Sequence, residues 1–299
     1  ILLLYPPSKD DKTREILFIR KSDNHTKVWE GEKLSKKQAN ELSGIDSIYF
    51  IDDFKDILSS IASQVDTFYI NKNEHYRANS PVETREDRFI SWLLKKYPAH
   101  NVAKSNPILQ RQRSIKHPDE IDQIKKACDI TRKGFNRVLE FIKPNVWEYE
   151  IEAEFIHEFI NSSSKGFAYS PIIASGNDNN VLHYVKNNKQ CKSGELILMD
   201  VGAEYGNYSS DMTRTVPVSG KFSKRQKEIY NAVLRVQKAS INMLVPGEYW
   251  EEYHKKVGDL MTQELIGLGL LSQKEVDDAP EKKPAYKKYF MHGTSHHIG

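Results

Sequence analysis

The sequence predicts two successive domains: an α/β unit over residues 1–110 and an α+β unit over residues 119–299, with a polar connector at 111–118. Three observations carry this reading. In the first 110 residues, short β-prone runs alternate with helical ones, the pattern of a mixed helix–sheet layer. From Pro118 onward, long helices with a periodic apolar stripe flank an apolar run that folds back on itself as an antiparallel hairpin. A length of 299 residues is enough to bury two separate cores.

Taken in order, residues 1–5, 15–19, 47–51 and 67–70 are strand-like, and 54–65 and 84–96 are helical. After the connector, Pro118 suits the first turn of a helix, and Asp119 and Glu120 suit its positive end. Ile121, Ile124, Cys128, Phe135, Val138, Leu139 and Ile142 recur at helical spacing, so this helix is long and amphipathic, with its stripe in the core. A second helix covers 147–160. Ser223 with Gln226 forms a capping box that opens a third helix, running to about residue 244. A fourth runs from Trp250 to about residue 266, where Gly267 and Gly269 end it. Residues 277–286 are polar and proline-bearing and read as a flexible excursion.

The chemistry concentrates in three segments. The first is residues 196–218, where Asp200 and Asp211 stand eleven positions apart on the two arms of the hairpin. If Tyr205 and Gly206 make the turn, position 200 faces 211, and directly opposed residues have Cβ atoms roughly 4.5–5.5 Å apart. Two carboxylates so placed repel each other unless a cation lies between them, and they suit hard divalent ions such as Mn²⁺ or Mg²⁺. A one-residue bulge would put them on opposite faces, and two solvated surface aspartates are the alternative. An Asp closing the apolar run Leu-Ile-Leu-Met favours burial.

The second segment, residues 291–299, carries His292, His296 and His297 among small residues. Imidazoles in such a run can supply a neutral nitrogen ligand and a neighbouring proton carrier. Gly293 and Gly299 argue against a helix, and Gly293 stands where the helical zinc motif needs Glu. A histidine-rich tail is the alternative. The third segment, residues 171–184, has turn chemistry from Ser175 to Asn180 and then a short apolar strand at 181–184 bearing His183. A lone histidine there also fits a hydrogen-bonded core residue.

Together, PIIASGNDNNVLHY, LMDVGAEYGNYSSDMTRTVPVSGKFSKRQKEIY and MHGTSHHIG, in this order, resemble the Xaa-Pro aminopeptidases (aminopeptidase P) from about residue 115 to 299. Residues 1 to about 110 resemble their smaller N-terminal domain more weakly. The resemblance implies a pita-bread catalytic domain preceded by a smaller α/β (creatinase-type) domain. It implies a metallopeptidase that removes a residue preceding proline, using hydroxide held by two divalent ions, usually manganese. By resemblance, Asp200 binds one metal, Asp211 bridges both, and His296 binds the second. His183 corresponds to a proton-shuttling histidine and His292 to one that steadies the scissile carbonyl. Ser295 favours the aminopeptidases over the prolidases, which share the metal core but cut dipeptides. A third relative class is metal-free binding modules, which typically lose the ligands retained here. Family members continue past the histidine motif to two glutamate ligands, and Ile1 reads as an interior strand, so the sequence is expected to be the middle of a longer protein.

Composition bounds the partners. A net charge of +3, from 44 basic and 41 acidic residues, favours no nucleic acid. There is no apolar stretch near 18 residues, so no membrane is expected. Cys128 and Cys191 lie outside any metal spacing and suit a reducing, cytoplasmic compartment. Peptides with proline at the second position are the expected partners, and a homo-oligomer is compatible with everything above.

Overall fold

The computed structural model describes residues 1–6, 10–72 and 80–298, so Gly299 of the histidine segment lies outside the described residues. The chain forms two compact units, Ile1–Arg113 and Ser114–Gly299.

In the first unit, β1 (Leu2–Leu4), β2 (Glu15–Ile19) and β3 (Ser47–Phe50) form a sheet with β2 central. Strand β2 runs antiparallel to β1 and parallel to β3. Alternation along β2 turns Ile16 and Phe18 inward, where they pack with Phe54, Leu58 and Leu93. Helices α1 (Asn24–Glu30) and α2 (Lys36–Ser43) lie between β2 and β3 in the chain, and α3 (Phe54–Ala62) follows β3. Strand β4 (Thr67–Ile70) pairs in parallel with β5 (Asn101–Lys104), and α4 (Arg85–Lys96) lies in the crossover between them. Thr84 caps α4: its hydroxyl accepts from Asp87 N–H, and the Asp87 carboxylate accepts from Thr84 N–H in return. The predicted strands and both predicted helices of this unit are present. Helices α1 and α2, strand β5 and α5 (Asn106–Ser114) were not legible, and α5 takes up the first half of the polar connector.

The second unit opens with α6 (Pro118–Phe141) and α7 (Glu148–Asn161). Its sheet consists of β6 (Ile172–Ser175), β7 (Leu196–Val201) and, beyond the short pair β8 (Glu204–Tyr205) and β9 (Tyr208–Ser209), β10 (Met212–Pro217). The order is β10-β7-β6, antiparallel throughout. Alternation along β7 sends Ile197, Met199 and Val201 onto Phe135 and Val138 of α6 and Ile151, Phe155 and Phe159 of α7. Each large apolar side chain so buried contributes about 1.5–3 kcal/mol, and the other face of β7, with Leu198 and Asp200, is left for chemistry. Helices α8 (Lys224–Met243) and α9 (Trp250–Gly267) share a second core of Val236, Tyr253, Val257, Met261 and Leu265, and α10 (Gln273–Asp277) follows. Residues 277–286 are less free than their composition suggested, because Tyr286 packs against this core.

The hairpin differs from expectation in one respect. Its turn is Gly206-Asn207, both with positive φ (59° and 66°), a two-residue turn of the primed kind. The turn lies one residue later than Tyr205-Gly206, so Asp200 pairs with Thr213 rather than Asp211. Moving the turn by one residue moves each cross-strand partner by two, which preserves the face. Asp211 is therefore a diagonal neighbour of Asp200 rather than its direct partner.

The link between β7–β10 and β8–β9 is closed by a tight contact. An ideal Cβ on Gly202 would lie 1.9 Å from the Ser210 carbonyl oxygen. Around it, the Ala203 N–H donates to Thr131 Oγ1 at 2.9 Å and to Ser210 Oγ at 3.0 Å, all buried. Gly202→Ala is expected to destabilise the protein by about 3 kcal/mol, through overpacking against backbone. Urea titration should show a lower midpoint with an unchanged slope. An unaltered midpoint would contradict this contact.

Candidate metal centre

Asp200 is the penultimate residue of β7 and half-buried, and Asp211 immediately precedes β10. The Tyr169 hydroxyl lies between them, 2.7 Å from Asp200 Oδ1 and 3.1 Å from Asp211 Oδ1. One hydroxyl proton cannot satisfy two carboxylates. The two Oδ1 atoms are thus at most about 6 Å apart, a repulsion of about 3 kcal/mol at an effective dielectric near 20. That exceeds the typical worth of a surface ion pair, so the arrangement calls for positive charge. Burial first, then the Asp200 and Asp211 carboxylates, hold the Tyr169 pKa well above its ordinary value, so it stays a hydroxyl donor.

On the other side of Asp211, its Oδ2 meets His296 Nε2 at 2.9 Å. The second ring nitrogen, Nδ1, lies 2.7 Å from the His297 carbonyl oxygen, an acceptor, so Nδ1 carries the proton. In a neutral ring this leaves the Nε2 lone pair facing a carboxylate oxygen. The contact is favourable only with a proton or another cation shared between them. The His297 carbonyl raises the His296 pKa most; partial burial opposes this, and Asp211 reinforces it.

The histidine segment is held by α9. His254 Nδ1 accepts from the Thr294 hydroxyl at 2.8 Å and from Thr294 N–H at 3.4 Å. The Trp250 ring stacks on His254, with centroids 5.5 Å apart, and meets His297 at 5.8 Å. Neither Trp250 nor His254 was singled out from the sequence; each sits on an ordinary amphipathic helix, and nothing local marks it. Tyr169 was missed for the same reason, since it acts across 31 and 42 residues of chain.

The structure thus brings Asp200, Asp211 and His296 together. His183 stands exposed on a turn after the short 3₁₀ segment Gly176–Asn180, so residues 181–184 form no strand. His292 is exposed, with Nδ1 2.7 Å from the Gly293 carbonyl oxygen and its ring edge-on to Phe290. Among the described residues, no hydrogen bond or ion pair joins either histidine to the carboxylates. Nor do three or more His, Cys, Asp or Glu side chains among them form a ready metal cage. A cavity of about 440 Å³, lined in part by Trp147, Tyr184, Lys186 and Lys189, includes none of the three clustered residues. The donor set itself, two carboxylates and an imidazole, fits a hard or borderline divalent ion.

Comparison with known proteins agrees with this chemistry. Residues 122–299 match the family described as metallopeptidase family M24, and residues 1–69 match the N-terminal domain of aminopeptidase P. The Xaa-Pro aminopeptidase of Haemophilus influenzae is 33% identical across 100% of this chain and 66% of its own length. That of Escherichia coli is 31% identical across 100% of this chain and 67% of its own. Among solved structures, zinc-substituted E. coli aminopeptidase P in complex with product superposes with a TM-score of 0.84. It is 30% identical, over 95% of this chain and 64% of that one. Proline aminopeptidase P II from Yersinia pestis gives 0.83 at 28% identity, over 95% and 65%. The chain belongs to metallopeptidase family M24, with a pita-bread unit preceded by an aminopeptidase P N-terminal domain. It spans about two thirds of the length of the relatives it matches.

Tyr169→Phe removes the proton that the two carboxylates share. In chelator it should cost about 1–3 kcal/mol of stability. With saturating manganese the loss should shrink, because the cation takes over. An equal loss under both conditions would show that the hydroxyl does not share the carboxylates with a cation.

Proposed function

We propose that the protein is a metal-dependent aminopeptidase that hydrolyses the bond between an N-terminal residue and a following proline. The observation that carries this reading is the convergence of Asp200, Asp211 and His296, with a carboxylate oxygen of Asp211 2.9 Å from the His296 Nε2. The relatives named Xaa-Pro aminopeptidase support the substrate class. In this reading Asp200 and His296 would each help hold one of two divalent ions, manganese by preference, and Asp211 would be shared between them. When bound, such a pair lowers the pKa of water and polarises a carbonyl, which is what peptide hydrolysis at neutral pH requires.

The protein's own groups do the rest. A prolyl nitrogen has no hydrogen in the peptide and must gain a proton as the C–N bond breaks. His183, exposed on its turn, is the donor in this reading. His292, whose Nδ1–H is given to the Gly293 carbonyl here, would turn that N–H to the substrate's carbonyl oxygen as charge develops there. Tyr169 and the His297 carbonyl orient Asp200, Asp211 and His296. No described helix is long and apolar enough to cross a membrane. Both cysteines are free thiols, which supports a cytoplasmic setting.

The direct test is release of the first residue from an Xaa-Pro-Xaa tripeptide, with a dipeptide and a chelator control, in protein carrying the full native sequence. Chelator-sensitive cleavage of the tripeptide is expected. Cleavage of the dipeptide alone would make it a prolidase, and silence on both would point to a binding module. His183→Ala should lower kcat by roughly 10²–10⁴-fold with manganese still bound; loss of the metal would refute the proton-donor role. Asp211→Asn should lose manganese, and unchanged stoichiometry by elemental analysis would remove its bridging assignment.

A further inference from the structure

Glu148 is the first residue of α7 and is 0% exposed, yet no Lys or Arg pairs with it among the described residues. A buried carboxylate without a counter-cation is costly unless its lone pairs are filled. Here four donors fill them. Oε1 accepts from Ser175 N–H at 2.8 Å and from Ser175 Oγ at 2.7 Å. Oε2 accepts from the Tyr184 hydroxyl at 2.7 Å and from Lys189 N–H at 3.0 Å. The backbone N–H of Glu148 donates to the Lys189 carbonyl at 3.0 Å, and Lys189 Nζ donates to the Ser175 carbonyl at 3.2 Å. The helix N-terminus adds favourable potential for the negative charge.

These donors are not scattered. Ser175 is the last residue of β6, Lys189 lies fourteen residues on, and Tyr184 sits between them, directly beside His183. One carboxylate thus ties both ends and the middle of the segment 175–189. Next to His183, Val181, Leu182 and Val185 are 52%, 51% and 56% exposed, whereas Tyr184 is 8% exposed and packs with Ile172 and Ala174. Upstream, Asn179 ties the 3₁₀ turn to the Leu196 carbonyl and Leu198 N–H of β7. Asn187 is a second anchor, but it fastens the far side, bonding Ile173 N–H, the Pro171 carbonyl and Glu152. Burial and then Glu148 push the Tyr184 pKa up to about 12, so its hydroxyl remains a donor at neutral pH.

We propose that Glu148 is a positioning residue for His183: its buried carboxylate closes the segment from Ser175 to Lys189 and thereby sets where the His183 imidazole stands. Glu148 touches no reacting atom and acts through Tyr184 and the loop backbone. The part played by His183 in the reaction rests on the proposed peptidase function, whereas the closure of the loop does not.

The experiment uses Glu148→Gln, nearly equal in volume, in the full-length manganese-loaded protein. The new amide NH₂ must face a backbone N–H, that of Ser175 or that of Lys189, so at least one hydrogen bond is lost while the neighbouring hydroxyl must reverse its role. Hydrogen exchange should rise about tenfold or more at amides 181–188, while β7 and β10 keep their protection. Unchanged exchange at 181–188, or equal loss across the whole unit, would overturn the inference whether or not the protein is a peptidase. On the Xaa-Pro-Xaa tripeptide, Glu148→Gln should lower kcat about 10- to 100-fold, but by less than about twofold in the His183→Ala background. Equal losses in both backgrounds would show that Glu148 does not act through His183. Should Glu148→Gln not fold, Tyr184→Phe removes one donor and leaves the carboxylate in place. It should show the same pattern in both measurements with smaller amplitude, and an unaltered loop and kcat would count against the proposal.

Discussion

The convergence of Asp200, Asp211 and His296 depends on the close approach of Gly202 to the Ser210 carbonyl. At this point the ladder between β7 and β10 opens into the smaller β8–β9 hairpin, and no side chain fits between the two backbones. The buried hydroxyls of Thr131 and Ser210, 2.6 Å apart, satisfy the Ala203 amide that the break would otherwise leave bare. Because Thr131 belongs to α6, the helix that supports the sheet also fixes the strand crossing. Asp211 is the next residue after Ser210, so its direction follows from the same contact.

Around that frame the balance is electrostatic. Two carboxylates are brought near each other and given one shared proton, from Tyr169, and one imidazole, from His296. Neither compensates the pair fully, since Tyr169 stays neutral and one imidazole carries at most a single positive charge. The deficit is what a divalent ion would relieve. The imidazole arrives from a segment with little regular structure, and its place is secured at Thr294 and His297 by His254 and Trp250 of α9. The second core, between α8 and α9, thereby bears on the site without contributing a ligand to it.

Buried polar groups recur wherever a loop must be held. Glu148 receives four hydrogen bonds from the segment carrying His183, and Asn187 holds the start of β6. An apolar residue at either place could fill the volume but could not set the path of the backbone. Among the described residues of the N-terminal unit, the buried residues around Phe18 and Leu93 are apolar.

Much of this was legible in the sequence, because it is local. The spans of α6 to α9 follow from a 3.6-residue apolar period with capping residues such as Pro118 and Ser223, and the strands from alternation. That Asp200 and Asp211 share a face follows from parity alone, which is why it survived a turn placed one residue off. Which turn forms was decided by Gly206 and Asn207 both accepting positive φ, which Tyr205 accepts far less readily. The helices α1 and α2 lacked a strong apolar stripe and went unread. What only the tertiary structure decided were the partners: Tyr169 between the carboxylates, His254 under Thr294, and Glu148 beneath Tyr184. Each spans 31 or more residues of chain. Periodicity shows which face of an element is buried, but a hydrogen bond across such distances depends on how finished elements pack, and no local pattern encodes that.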